Sequence, residues 1–272
     1  MLDEFSVTVK ARCYRHRSAL AGLLLFVMSV LLFLTEPLPQ SLDYHAFADQ
    51  RPFLQVPNAF NVLSNLPFAL VGIIGLAVLR KRPGMCRELV AIYLCFMGGL
   101  VGVALGSAWY HLNPGNNTLV WDRLPMALCF AAFTSIVVAE RLGLGMGRTL
   151  FPWLVSLAML SVLYWHWRDD LRLYLLVQFG PMLALPLIIQ LYRAPGTLWL
   201  WLTLAFYVLA KVLEIWDARI YELSGTLLSG HTLKHLAAAA GALMLVLKVY
   251  WAGVDGTSRT GRRKTLLKGS DK

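Results

Sequence analysis

Charge is scarce in this chain. Asp, Glu, Lys and Arg make up 15% of the 272 residues, hydrophobic residues make up 58%, and the mean hydropathy is +0.60. That composition excludes an ordinary water-soluble domain. Cysteine is also scarce, at four residues. Cys13 and Cys86 fall in basic segments and Cys95 and Cys129 inside apolar runs, so no pair is placed for an oxidised framework and the thiols read as small apolar fillers. No repeat of fixed period and no low-complexity tract is present, apart from a polar tail after Val254 expected to be disordered. No small-x-small cleavage site directly follows the first apolar run, where Thr35, Glu36, Pro37, Leu38 and Pro39 stand instead, and Ala46-Phe47-Ala48 comes late. The first run is therefore expected to be a retained anchor and not a cleaved signal peptide.

What is present is a series of apolar runs of bilayer length: Ser18 to Leu34, Asn61 to Leu79, Leu89 to His111, Leu124 to Glu140, Leu150 to Trp165, Leu173 to Leu191, Leu198 to Trp216 and His231 to Trp251. They are continuous and nearly twice as long as a membrane strand, which favours helices over a barrel. The expected fold is an all-α polytopic membrane helix bundle. Its expected organisation is an N-terminal segment at 1–17, an extra anchor helix at 18–35, a seven-helix domain at 43–252 and a basic tail at 253–272.

Orientation follows from the basic residues between spans. Alternate segments hold Lys10, Arg12, Arg15 and Arg17, then Arg80, Lys81, Arg82 and Arg87, then Arg141 and Arg148, then Arg193, then the tail cluster from Arg259 to Lys272. The opposite loops and their edges hold only Arg51, Arg123, Arg168, Arg172 and Arg219. Both termini are expected to be cytoplasmic. The net charge of +10 is spread over those segments, where anionic lipid headgroups attract it, so nucleic acid is not an expected partner. The sequon Asn116-Asn117-Thr118 lies in an expected outer loop. Short loops and minimal tails look bacterial, which points to an inner membrane where that signal is unread. Nothing in the sequence sets an oligomeric state.

A titratable side chain inside a span needs a partner, a cavity or a function. Of six histidines, His16 and His45 lie in polar segments and His166 at a span edge. His111, His231 and His235 end or begin membrane helices, and alternation of the spans brings them to one outer layer with Asp122. His231 and His235 are four apart, on one helix face, a spacing that lets two nitrogens bind one metal. Three neutral imidazoles with an open fourth position suit a catalytic zinc, whose water has a pKa of about 7. Asp122, eleven residues after His111 across a short loop, is placed to accept a proton from that water, although an aspartate three residues before Pro125 also reads as a helix N-cap. Ser107, four before His111, is placed to donate to an oxyanion, or else serves helix packing between Gly106 and Ala108. Lys211 and Glu214 are expected to pair with each other, and Asn61, Ser64 and Asn65 to hydrogen-bond histidines or carbonyls across the bundle.

The segments Gly106-Ser107-Ala108-Trp109-Tyr110-His111, Asp122-Arg123-Leu124-Pro125-Met126 and His231-Thr232-Leu233-Lys234-His235, with Asn61-Val62-Leu63-Ser64-Asn65 upstream, resemble the alkaline ceramidase family. That family belongs to a wider superfamily of seven-helix membrane zinc hydrolases that includes adiponectin-receptor-like proteins. The resemblance covers roughly residues 43 to 251. It implies zinc on His111, His231 and His235, Asp122 as the base and Ser107 as oxyanion donor. It further implies hydrolysis of the amide of an N-acyl, ceramide-like lipid to a free fatty acid and an amine. Animal-type members also carry calcium on acidic residues before the first helix and on a glutamate upstream of the asparagine-serine motif. Here the match departs from the family: Asn58 stands at the glutamate position, and Asp43 and Asp49 are the only acidic candidates. Two other readings remain, a non-catalytic metal-containing lipid receptor of the same superfamily and a membrane protein that holds haem through paired histidines.

Overall fold

The computed structural model describes residues 26–27, 29–30, 33–82 and 84–268, with side chains described to 252. Most of the expected first span, Ser18 to Leu34, and the tail side chains lie outside the described residues. The described residues are helical, and their one extended pairing is an isolated bridge between Phe53 and Val56. After a 3-10 turn at Leu42–His45 come α1 (Ala59–Leu63), α2 (Leu66–Arg80), α3 (Arg87–Leu112), α4 (Asn116–Arg141), α5 (Leu144–Arg168), α6 (Arg172–Leu191), α7 (Thr197–Ile215), α8 (Asp217–Leu223) and α9 (Gly230–Lys268). Among the described residues seven spans are long and apolar enough to cross a bilayer, α1 and α2 together forming the first, Ala59–Arg80, and the last running Gly230–Ala252. The protein is an integral multi-pass membrane protein with an all-α bundle fold.

The first span breaks at Ser64 and Asn65 because Pro67 stands in the first turn of α2 and has no N–H to continue the ladder. The Ser64 hydroxyl and the Asn65 amide both donate to the Asn61 carbonyl, at 3.0 and 2.8 Å, and so supply partners the interrupted ladder lacks.

The fourth apolar run is longer as a helix than its hydropathy indicates. It was expected from Leu124, but α4 begins at Asn116, which places Asp122 and Pro125 inside it and excludes an N-cap role for Asp122. Thr118 closes the tight turn by donating to Asn113 and Gly115 carbonyls. The polar residues of this stretch are tolerated because they meet polar groups on other segments: Asn116 bonds His45 at 2.9 Å, Asp122 lies beside Ser107, and one amino group of Arg123 donates to Gln40.

α3 and α4 pack closely, α4 lies against α5 and α6, α9 lies against α7 and α2, and α2 returns to α3. Small residues of α3 allow the first of these contacts. A Cβ on Gly106 would lie 1.9 Å from the Trp121 carbonyl oxygen and one on Gly99 would lie 2.7 Å from Cys129 Sγ. Pro125 leaves that Trp121 carbonyl without its helical donor, so the backbone of α3 approaches α4 where the ladder is already open.

Residues 35 to 58 form a strap across the end of the bundle that holds the C-terminus of α3 and the N-terminus of α9. At one side Leu38 and Gln40 donate backbone N–H groups to Asp170 and Asp169, and the Asp170 carboxylate is also gripped by Arg172, which holds its pKa down to about 2. At the other side Ala48 donates to Asp217 at 3.0 Å.

Candidate metal centre

Antiparallel threading carries the end of α3 and the start of α9 to the same end of the bundle. His111 lies in the last turn of α3, His231 and His235 in the first two turns of α9, and all three are buried. Each offers a ring nitrogen, and these atoms all lie within 4.8 Å of one another; no other group of three His, Cys, Asp or Glu among the described residues has such geometry. The ring centroids form a nearly equilateral triangle, 4.9 Å for His111–His231, 5.1 Å for His111–His235 and 5.0 Å for His231–His235. Nε2 of His231 and Nε2 of His111 are 3.3 Å apart.

Two nitrogens bound to one tetrahedral ion at roughly 2.05 Å each must be about 3.3 Å apart, and their ring centres about 5 Å apart. The donor set fits a metal ion with one position left for another ligand. Three rings converging on one point describe the corner of a tetrahedron and not the opposed pair that a haem plane requires.

The surroundings fix two of the three donors. Ser64 Oγ donates to the Asn61 carbonyl and lies 2.7 Å from Nδ1 of His235. With its proton committed, the hydroxyl accepts from Nδ1–H, which leaves the Nε2 lone pair of His235 for a metal. Asp217 Oδ1 accepts from the His231 backbone N–H at 2.7 Å, tethering the start of α9, and Gly230 makes that approach possible, since a Cβ there would lie 2.1 Å from the Leu213 carbonyl oxygen. Phe47, buried under the strap, packs its ring 4.7 Å from His111 and 4.5 Å from His231. Nδ1 of His111 has no hydrogen-bond partner. We expect Ser64→Ala to weaken metal binding by the cluster roughly 10- to 100-fold with the fold intact, read by competition with a chromogenic chelator on detergent-purified protein; unchanged affinity would mean that the hydroxyl does not hold the tautomer.

One of the three histidines, His235, lines a cavity of about 340 Å³ together with Ser107 and Asp122. The Ser107 hydroxyl lies beside the Asp122 carboxylate. Away from the bundle end the walls are apolar, with Phe96, Leu100, Val103, Phe130 and Phe133 prominent. From Asp122 to Phe133 is eleven residues of helix, about 16 Å of depth. Glu214 on the opposite wall receives both Lys211 and Lys234 at 2.5 Å and the Tyr44 hydroxyl at 3.3 Å. The expected Lys211–Glu214 pair is therefore present, with Lys234 as a third member that spacing along α7 could not reveal.

Asp43, Asp49 and Asn58 are not brought together as a metal site. Asp43 is exposed, both Asp49 oxygens are taken by Arg51 at 2.9 and 2.7 Å, and the Asn58 amide donates to the His111 carbonyl at 2.9 Å. An ion on Asp49 would first have to displace a guanidinium. Asp217 and Phe47 escaped sequence reading. Asp217 follows a span end where acids are ordinary, and Phe47 sits in a polar stretch with no periodicity to place it.

No protein-family model matches the chain, and no curated protein matches it. Fold and site define its class: a polytopic membrane protein with a buried three-histidine cluster that could hold a metal ion.

Proposed function

We propose that this protein is a zinc-dependent membrane amidase that cleaves an N-acyl, ceramide-like lipid to a fatty acid and an amine, as the resemblance to alkaline ceramidases implies. The observation that carries the reading is a cavity lined by His235, one corner of a metal-fitting histidine triangle, together with a carboxylate and a hydroxyl, below which the walls turn apolar for about the length of an acyl chain. His111, His231 and His235 would hold a zinc ion, which when bound would supply a water acidified to a pKa of about 7 and a Lewis acid for a carbonyl.

The chain's own groups divide the remaining work. Asp122 takes a proton at its carboxylate and returns it to the departing amine nitrogen, the exchange a buried carboxylate performs when solvent is excluded. Ser107, which lies beside that carboxylate in the resting site, turns its hydroxyl toward the carbonyl oxygen as negative charge develops there. Phe130, Phe133 and their neighbours hold the acyl chain and exclude water. Lipid enters between α6 and α7, where helix contact is sparse and Phe179 lines the cavity while 37% exposed. With the basic segments cytoplasmic, the site faces the outer leaflet.

The test is metal content per chain by mass spectrometry on detergent-purified protein, with fatty-acid release from a panel of lipid amides, for wild type and for the double change His231→Ala, His235→Ala. About one zinc and measurable release in wild type, with neither in the variant, is the expected result. Wild type without any metal would end the hydrolase reading. Bound zinc with no release from any amide would leave the receptor reading in its place.

A further inference from the structure

Arg123 is the one Lys or Arg of the cavity wall with no salt bridge among the described residues, the Asp122 carboxylate beside it in the chain acting on it only through space. It is 6% exposed and lines the cavity. Lys211 and Lys234 share Glu214, whereas the guanidinium of Arg123 meets only a neutral acceptor, Gln40 Oε1, at 2.5 Å through Nη2. Its Nη1 has no hydrogen-bond partner. Three aromatic rings surround the guanidinium carbon, Trp165 at 4.1 Å, Tyr174 at 4.8 Å and Tyr44 at 5.5 Å. Nε1 of Trp165 is a second buried donor without a partner. Aromatic faces offset part of the cost of burying this charge, but they leave its in-plane N–H groups unused. Adjacent orphan donors around an unpaired buried cation ask for an anion, and a planar guanidinium suits a carboxylate.

The position of Arg123 decides which half of a lipid would carry that anion. Ser107 and Asp122 mark the reacting centre, and the apolar walls for an acyl chain extend from it toward the bundle middle. Arg123 with Gln40 and Tyr44 of the strap closes the cavity at the bundle end, the side left for the amine. We infer that Arg123 binds a carboxylate on the amine half of the lipid, which makes N-acyl amino acids the substrate class of this site. The assignment rests on the amidase reading, and it deepens that reading by naming the headgroup.

Binding separates the two. Equilibrium affinities of N-dodecanoylglycine, N-dodecanoylethanolamide and dodecanoate are measured on full-length zinc-loaded protein in nanodiscs, in the Asp122→Asn background and with Arg123→Gln or Arg123→Lys added; metal content and thermal midpoint report folding. N-dodecanoylglycine is expected to bind at least 10-fold more tightly than the ethanolamide. Arg123→Gln removes that difference, and Arg123→Lys, with charge but no planar fork, retains part of it. Equal affinity for glycine and ethanolamide conjugates would overturn the inference. So would a loss confined to dodecanoate, which would assign Arg123 to the released fatty acid. Should no amide be hydrolysed by the protein with Asp122 intact, the amidase reading fails while the measured preference still decides whether Arg123 is a carboxylate site.

Discussion

On the proposed amidase reading, Asp122→Asn is expected to keep the metal and lose turnover by about 10²- to 10⁴-fold, the contribution that general acid–base catalysis typically makes. The substitution is nearly isosteric and leaves an acceptor for the Ser107 hydroxyl, so the contact between α3 and α4 survives. What it removes is the one cavity carboxylate free of an ion pair among the described residues, since Glu214, the other acid of the lining, is occupied by two lysines. Metal content and fatty-acid release measured on one preparation decide the matter. Full activity in the variant would remove Asp122 as the base. Loss of zinc together with activity would instead make it a support of the centre. Because it lies inside α4 and not at its cap, helix fraying offers no third explanation.

Gly106→Ala is expected to cause the largest loss of stability of any glycine-to-alanine change among the described residues, about 3 kcal/mol or more. A Cβ there would lie 1.9 Å from the Trp121 carbonyl oxygen and 2.7 Å from its carbon, and a backbone cannot rotate aside as a side chain can. The helices would have to separate, and Ser107 would move away from Asp122 with them. Gly98→Ala is the control, because a Cβ there meets nothing within 4 Å, and the gain in helix propensity is worth at most about 1 kcal/mol. Thermal midpoints of the detergent-solubilised variants should therefore diverge, with Gly106→Ala far below wild type and Gly98→Ala at or above it. Matching midpoints would show that α3 and α4 do not depend on this contact.

The spans were legible because membrane burial imposes length and apolarity on each helix separately, and both are local properties. The start of α4 was not, since Asn116, Asp122 and Arg123 lower the local hydropathy and only their partners on other segments make a helix there tolerable. The histidines were legible for a related reason: a polar residue at a span end is conspicuous, and alternating threading sets its end of the bundle without any knowledge of packing.

The sequence by itself determined a polytopic helical membrane protein and placed His111, His231, His235, Ser107 and Asp122 at one end of it, because hydropathy and threading act along the chain. Only the tertiary structure decided that three imidazoles form a triangle of about 5 Å sides, that Ser64 orients His235 and Asp217 tethers α9, and that Phe47 covers the cluster. It also decided that Asp49 belongs to Arg51 and that Arg123 stands unpaired among aromatic rings. Those outcomes depend on which side chains meet across helices, and hydrogen bonds and close contacts between distant segments leave no periodic trace in a sequence.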